Sequence, residues 1–266
     1  MSFAQNDFSF RYSDNSKGVV YDKETTIDIR THTNGFLALA VNFGKIKTYY
    51  KTKYYHFEIG EIKHNKEFRS RKIRTSNISS TSASFIYGKQ NNFFVLRGGL
   101  GTKRYLTDKA AKKGLAVGIN YEYGPSLGIL KPYYVEVKNL DSNNSSTQSI
   151  RFSEETAESF LKYYDIEGHS GLIKGFGEAS IVPGLNGKFG LHLDWGAFDE
   201  FVKAIEVGVM ADIYFKKIPI MVEQADNIPT YLAAPNPPNV DIQPTDVRNR
   251  PFFINLYISL QLGKRS

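Results

Sequence analysis

The stretch Ile254-Asn255-Leu256-Tyr257-Ile258-Ser259-Leu260-Gln261-Leu262 decides the fold. Ile254, Leu256, Ile258, Leu260 and Leu262 fall on one parity, and Asn255, Tyr257, Ser259 and Gln261 on the other. A period of two belongs to a β-strand with two unlike faces, because successive side chains point to opposite sides. The same alternation runs upstream. Leu37, Leu39, Val41 and Phe43 alternate with Ala38, Ala40 and Asn42. Tyr55, Phe57 and Ile59 alternate with His56, Glu58 and Gly60. Comparable runs begin near Phe94, Leu115, Phe189 and Ile205, and a weaker one spans Thr25 to Thr33. This makes about eight strands, with ten as the alternative. One short helix is expected from Ser153 to Tyr164, inside a loop, with Ser153 as its cap and Glu154 and Glu155 in its first turn.

Composition narrows the classes. The 266 residues include no Cys, and 34 Lys and Arg against 27 Asp and Glu give a net charge of +7. Without Cys there is no disulfide framework, thiolate zinc site or cysteine nucleophile. No run of 18 apolar residues exists, which excludes a transmembrane helix; a transmembrane strand needs only about 9–11 residues. The mean hydropathy of −0.36 is therefore no argument against a membrane.

The polar parity is the deciding face. In a soluble sandwich or lipocalin-like barrel it would be long and charged. Here it is mostly Gly, Ala, Asn, Ser and Tyr with isolated ionisable groups, which suits the inside of a narrow barrel. The fold class expected is an all-β, antiparallel, up-and-down transmembrane β-barrel with a filled polar interior. Leu37, Leu39, Val41, Ile254, Leu256, Ile258, Leu260 and Leu262 are then lipid-facing. Tyr49, Tyr50, Tyr54 and Tyr55 at one hairpin, and Tyr133 with Tyr134 at another strand end, are expected as interfacial girdles.

The connections sort by length. Asn34-Gly35 is a hairpin signal. Turns near 51, 110 and 200 are short, while 65–91, 139–185 and 221–250 are long. Counting strands from an internal N-terminus puts all three long loops on one side, as outer-membrane barrels do. Ser2 and Ala4 have small-x-small spacing, so residues 1–4 read as the remnant of a signal peptide, 5–23 as a periplasmic N-terminal segment and 24–266 as the barrel.

With these residues in hand, the chain resembles a family of small outer-membrane β-barrel proteins of the Bacteroidota. The stretches that carry the likeness are Gly44 to Thr52, Gly60 to Lys66, Tyr87 to Asn91 and Gly124 to Gly128 with Lys131 to Tyr134. Lys216 to Met221 and Leu260 to Lys264 also belong to it; Asn65 departs, standing where Pro is expected. The resemblance implies the fold and a location in the bacterial outer membrane. It brings no activity and no catalytic residues.

Candidate chemistry lies in three places. Asp28, Arg30, His32, His56, Glu58, Arg97, Glu122, His192, Asp194, Glu206 and Asp212 fall on the inner parity and are expected to form a paired polar network, since buried charges need partners. Lys66, Arg69, Arg71, Lys72 and Arg74 lie in the first long loop, where contact with anionic headgroups of outer-membrane lipids and lipopolysaccharide is expected. Stacking aromatics are too few there for nucleic acid. The Gly168-His169-Ser170-Gly171-Leu172 segment has Leu where a nucleophile elbow needs Gly. No cofactor, metal or catalytic residue is expected. The role expected is structural, a scaffold or accessory subunit acting through its external loops, with other outer-membrane proteins as candidate partners. A lipid hydrolase and a small-solute channel are the alternatives.

Overall fold

The computed structural model describes residues 21–70, 84–107, 114–138, 147–223 and 247–266. Residues 1–20, together with Arg71, Lys72 and Arg74, lie outside the described residues. Eight long strands carry the structure: β1 (Lys23–His32), β2 (Gly35–Thr48), β3 (Lys51–Ile62), β4 (Asn91–Tyr105), β5 (Ala116–Pro132), β6 (Ser180–Asp194), β7 (Phe201–Tyr214) and β8 (Phe252–Arg265). Each pairs antiparallel with its neighbours in sequence, and β1 pairs with β8 to close the barrel. Closure pairs both edge strands, so the barrel sheet has no open edge.

The side-chain alternation carries around the wall. Ile29, Leu39, Ile59, Leu96 and Leu127 stand in one row across five strands. All five point outward and are 39–55% exposed. Leu37, Ile254, Leu256, Ile258, Leu260 and Leu262 are exposed on the same surface, and Val41 is half-buried there. The inner parity is buried and polar. Small residues stand opposite large ones inside: Ala40 pairs with Glu58, Ala38 with Arg30, and Gly101 with Tyr54. The molecule is thus apolar outside and polar within, the reverse of a soluble barrel.

Three short turns join β2–β3, β4–β5 and β6–β7 at one end, called here the turn end. The long connections 63–90, 133–179 and 215–251 leave from the other, the loop end, where the Thr33-Asn34 turn also lies. That turn uses no left-handed residue, so Gly35 serves for proximity rather than conformation. A Cβ on it would sit 2.3 Å from both the Glu61 carbonyl oxygen and His32 Cε1.

Two features correct the sequence reading of the interior. At the loop end the lumen is apolar. Ile62, Phe93, Val95, Leu130, Val182, Tyr214 and Phe253 from the strands pack with Ile218, Ile220, Met221 and Val247 from the last connection. Asn249 pins this segment: its Oδ1 accepts from the Ile220 N–H at 3.0 Å and its Nδ2 donates to the Met221 carbonyl at 2.8 Å. At the turn end, Phe198 stacks on Tyr49 with centroids 4.1 Å apart and tilts against Tyr105 at 5.3 Å. Phe198 holds φ at 66°, a strained setting for a large side chain, and that setting supports its ring across the barrel foot.

The tyrosines also differ from expectation. Tyr54 is buried and points into the lumen, because it shares the parity of His56 and Glu58. Tyr133 and Tyr134 belong to the loop-end structure rather than to a girdle: Tyr133 accepts from the Ile86 N–H, and Tyr134 donates to Glu178. There, Tyr134–Lys138, Thr147–Arg151 and Ile166–His169 form a three-stranded sheet over a separate core that includes Phe85, Val135, Phe160 and Ile166. The loop helix is shorter than expected, Ala157–Leu161, with a 3-10 turn at Tyr163–Asp165. Its N-cap is Thr156, not Ser153; the hydroxyls of those two residues bond to each other at 2.8 Å.

Candidate functional site

The lumen is filled by one connected polar network. All eleven residues expected there are buried. Glu58 on β3 is the hub: Arg30 and Arg97 both donate to it, and Lys188 Nζ lies 2.6 Å from its Oε2. Arg97 also grips Asp212 on β7 with a two-point fork, Nε to Oδ1 at 2.7 Å and Nη2 to Oδ2 at 2.8 Å. The fork is the strongest geometry available to a guanidinium and a carboxylate. Lys188 Nζ reaches Glu122 Oε2 at 2.8 Å and His56 Nε2 at 2.7 Å. His56 Nδ1 lies 2.6 Å from Asn42 Oδ1, so Nδ1 carries the proton and Nε2 accepts from the ammonium.

The network continues toward the turn end. Asn42 Nδ2 donates to Asp28 Oδ2 at 2.9 Å, and Gln261 donates to the same oxygen at 3.0 Å. The Tyr54 hydroxyl lies 2.6 Å from Asn120 Oδ1 and 2.8 Å from Glu122 Oε1. Asn120 and Tyr257 donate to Glu206 at 2.7 and 2.6 Å. His192 sits between two carboxylates, 3.5 Å from Glu206 and 3.9 Å from Asp194. At the foot, Lys103 and Arg265 share Glu24 at 2.5 and 2.8 Å, and Arg265 also reaches Asp194 at 3.0 Å. His32 is buried near the loop end and, among the described residues, has no hydrogen-bond partner on either ring nitrogen.

The network includes Glu24, Lys103, Lys188 and Arg265, which sequence reasoning passes over, together with Tyr257, which it puts on the polar parity, and Tyr54, which it expects at a girdle. Parity is the signal that finds them, since Lys188 stands in step with Gly190 and His192, and Lys103 with Gly99 and Gly101. A cavity between Glu24, Asn42, Tyr54 and Asn120 measures about 10 Å³, room for one water. Among the described residues, no group of three or more His, Asp or Glu is placed to hold a metal ion.

At the loop end, a pocket of about 340 Å³ is lined by Lys63, His64, Lys66, Arg248 and Arg250, with Phe252 and Ile254 below. The Lys66 N–H donates to His64 Nδ1 at 3.2 Å, so His64 Nε2 is the protonated nitrogen, 3.4 Å from the Arg248 carbonyl. Burial holds the His64 imidazole below its ordinary pKa. Lys66 thus borders a basic pocket, while Arg69 stands apart in the Arg69–Ser70 strand paired with Phe85–Ile86. Ser170 donates to the Ser149 hydroxyl at 3.0 Å, and the His169 Nδ1 is 2.7 Å from the Ser84 carbonyl. The serine is not hydrogen-bonded to a base, which is what a nucleophile requires.

No family model and no curated protein matches the chain. Among solved structures, it is similar to the crystal structure of the N-terminal β-barrel domain of Pseudomonas aeruginosa OprF. The TM-score is 0.31 and the identity 8%, over 92% of this chain and 98% of that one. The architecture described above stands on the strand pairing itself.

Proposed function

We propose that the chain is an integral outer-membrane β-barrel with a structural, scaffold or accessory-subunit role exercised through its loop end. The observation that carries this reading is the inverted distribution of polarity: an exposed apolar wall around a buried, paired, charged lumen. In water such a wall is a large apolar patch that demands a cover, and a bilayer supplies one. Every barrel strand has at least ten residues, enough to cross. The loop end is then external and the turn end periplasmic. Lys66 and the loop-end pocket are suited to anionic headgroups of outer-membrane lipids and lipopolysaccharide.

The lumen favours a scaffold over a channel, because the described residues fill it with a charge network and an apolar stopper. A lipid hydrolase has less support, since Ser170 bonds to Ser149. The surface left for a partner is the loop-end sheet with its own core. Affinity capture in mild detergent tests the role. The full chain should retain a stoichiometric outer-membrane partner, and a variant with 133–179 replaced by a short turn should lose it. Equal recovery by both would overturn the loop assignment, and recovery of the protein without detergent in the aqueous phase would overturn the membrane reading.

A further inference from the structure

Lys23, Lys45 and Lys53 stand side by side on β1, β2 and β3. The register pairs Lys23 with Lys45, and Lys45 with Lys53. All three are on the outward parity and exposed. Directly opposed side chains on neighbouring strands have Cβ atoms only about 5 Å apart, and like charges there are destabilising. Among the described residues none of the three has a carboxylate partner. Some other lysines are paired: Lys103 with Glu24, Lys89 with Glu67 and Lys264 with Glu200. A row of three ammonium groups is therefore a cost that no carboxylate among the described residues offsets.

The next outward row, one step toward the barrel middle, is apolar. Phe43, Tyr55, Leu100 and Tyr123 follow one another in register across β2 to β5. They are 46–61% exposed. The two rows bound a groove of about 860 Å³ on the outer wall at the turn end, to which Lys47 and Lys51 add two more cations and Asp22 the one acid among the described residues. A soluble anion would neutralise the lysines and leave the aromatic row bare. An uncharged lipid would cover the aromatic row and leave the repulsion. One chemistry answers both, an anionic head joined to apolar chains.

We infer that this groove binds an anionic phospholipid of the leaflet at the turn end, with its phosphate at Lys45 between Lys23 and Lys53 and its chains along Phe43 and Tyr55. The inference rests on the bilayer reading above, and it concerns the opposite end of the barrel from the basic loop-end pocket.

The test is native mass spectrometry of the full chain in a zwitterionic detergent. Phosphatidylglycerol and phosphatidylcholine of identical acyl chains are offered in competition. The wild type should retain phosphatidylglycerol over phosphatidylcholine by about tenfold, equivalent to about 1.4 kcal/mol. Lys45→Gln alone should erase most of that preference, and Lys23→Gln/Lys45→Gln/Lys53→Gln all of it. The triple variant should also melt higher than wild type in phosphatidylcholine and lower in phosphatidylglycerol. A purely structural role for the lysines would give the same sign in both lipids. Equal retention of the two lipids by the wild type, or no change in Lys45→Gln, would overturn the inference. So would displacement of the lipid by millimolar inorganic phosphate, which marks a simple ion site. Vesicle flotation separates this from the premise: failure to float with either lipid sinks the bilayer reading, whereas flotation without selectivity sinks only the groove.

Discussion

Arg97 on β4 and Asp212 on β7 meet across the lumen in a two-point fork, 115 residues apart in sequence and on walls that share no ladder. The contact braces opposite sides of the barrel. Breaking it from one side leaves an uncompensated buried charge. Arg97→Ala should therefore destabilise the folded barrel by about 3–5 kcal/mol. Arg97→Met with Asp212→Leu should recover part of that loss while Glu58 keeps Arg30 and Lys188. Urea unfolding in detergent, followed by the heat-dependent gel shift of a closed barrel, measures both. Equal loss in the single and double variants would show that the fork is not the brace.

Gly101 makes room for Tyr54. A Cβ at Gly101 would lie 2.1 Å from Tyr54 Cζ, and the ring fills the lumen between Asn120 and Glu122. Gly101→Val should cost about 1–3 kcal/mol by overpacking. Tyr54→Ala in the same chain should relieve the clash, so the two changes together should be less harmful than the sum of each alone. Strict additivity in a double-mutant cycle would contradict the packing argument.

Much of this was open to a reader of the sequence, and the reason is geometric. Parity survives along a strand, so Ile254 to Leu262 and Leu37 to Val41 declare the outer wall, and Asp28, Arg30, His56 and Glu58 declare the inner one. Lys188 and Lys103 obey the same rule, yet a lysine has the composition of a solvated position, and only the count of two separates the cases. Tyr54 likewise looks interfacial by type and luminal by parity, and parity prevails. The apolar stopper is different in kind. Ile218, Ile220 and Met221 have no periodicity and meet Phe93 only through the closure of the barrel, a contact no local pattern announces. The cross-lumen pairing of Arg97 with Asp212 is hidden for the same reason.

Charged side chains fill the lumen in depth, and an apolar cluster fills its loop-end mouth. Replacing residues 216–250 by a short turn removes Ile218, Ile220 and Met221 but leaves Arg30, Glu58, Arg97, Lys188 and Glu122 in place. Planar-bilayer recordings should show no single-channel steps for the full chain or for this variant. Steps in the shortened chain alone would assign the closure to the loop, and steps in both would favour a channel.

Tyr87 reports on the loop-end core. Its hydroxyl donates to the Leu161 carbonyl at 2.7 Å, and burial pushes its pKa up to about 12. The folded form therefore favours the neutral phenol. Its contribution is full below the ordinary tyrosine pKa near 10 and is lost as pH rises toward 12. Near-ultraviolet circular dichroism of the loop-end sheet should weaken across that window. Tyr87→Phe should reduce the pH dependence, and an unchanged profile would remove Tyr87 from the account.

The central claim is that one parity of β8 faces lipid and the other the lumen. The absence of native Cys makes it directly measurable, since each position from 254 to 262 can carry a single spin-labelled Cys in turn. In vesicles, labels at 254, 256, 258, 260 and 262 should be reached by oxygen dissolved in the bilayer and not by a water-soluble nickel chelate. Labels at 255, 257, 259 and 261 should be shielded from both. Nickel access along the even positions, or no alternation at all, would contradict the account.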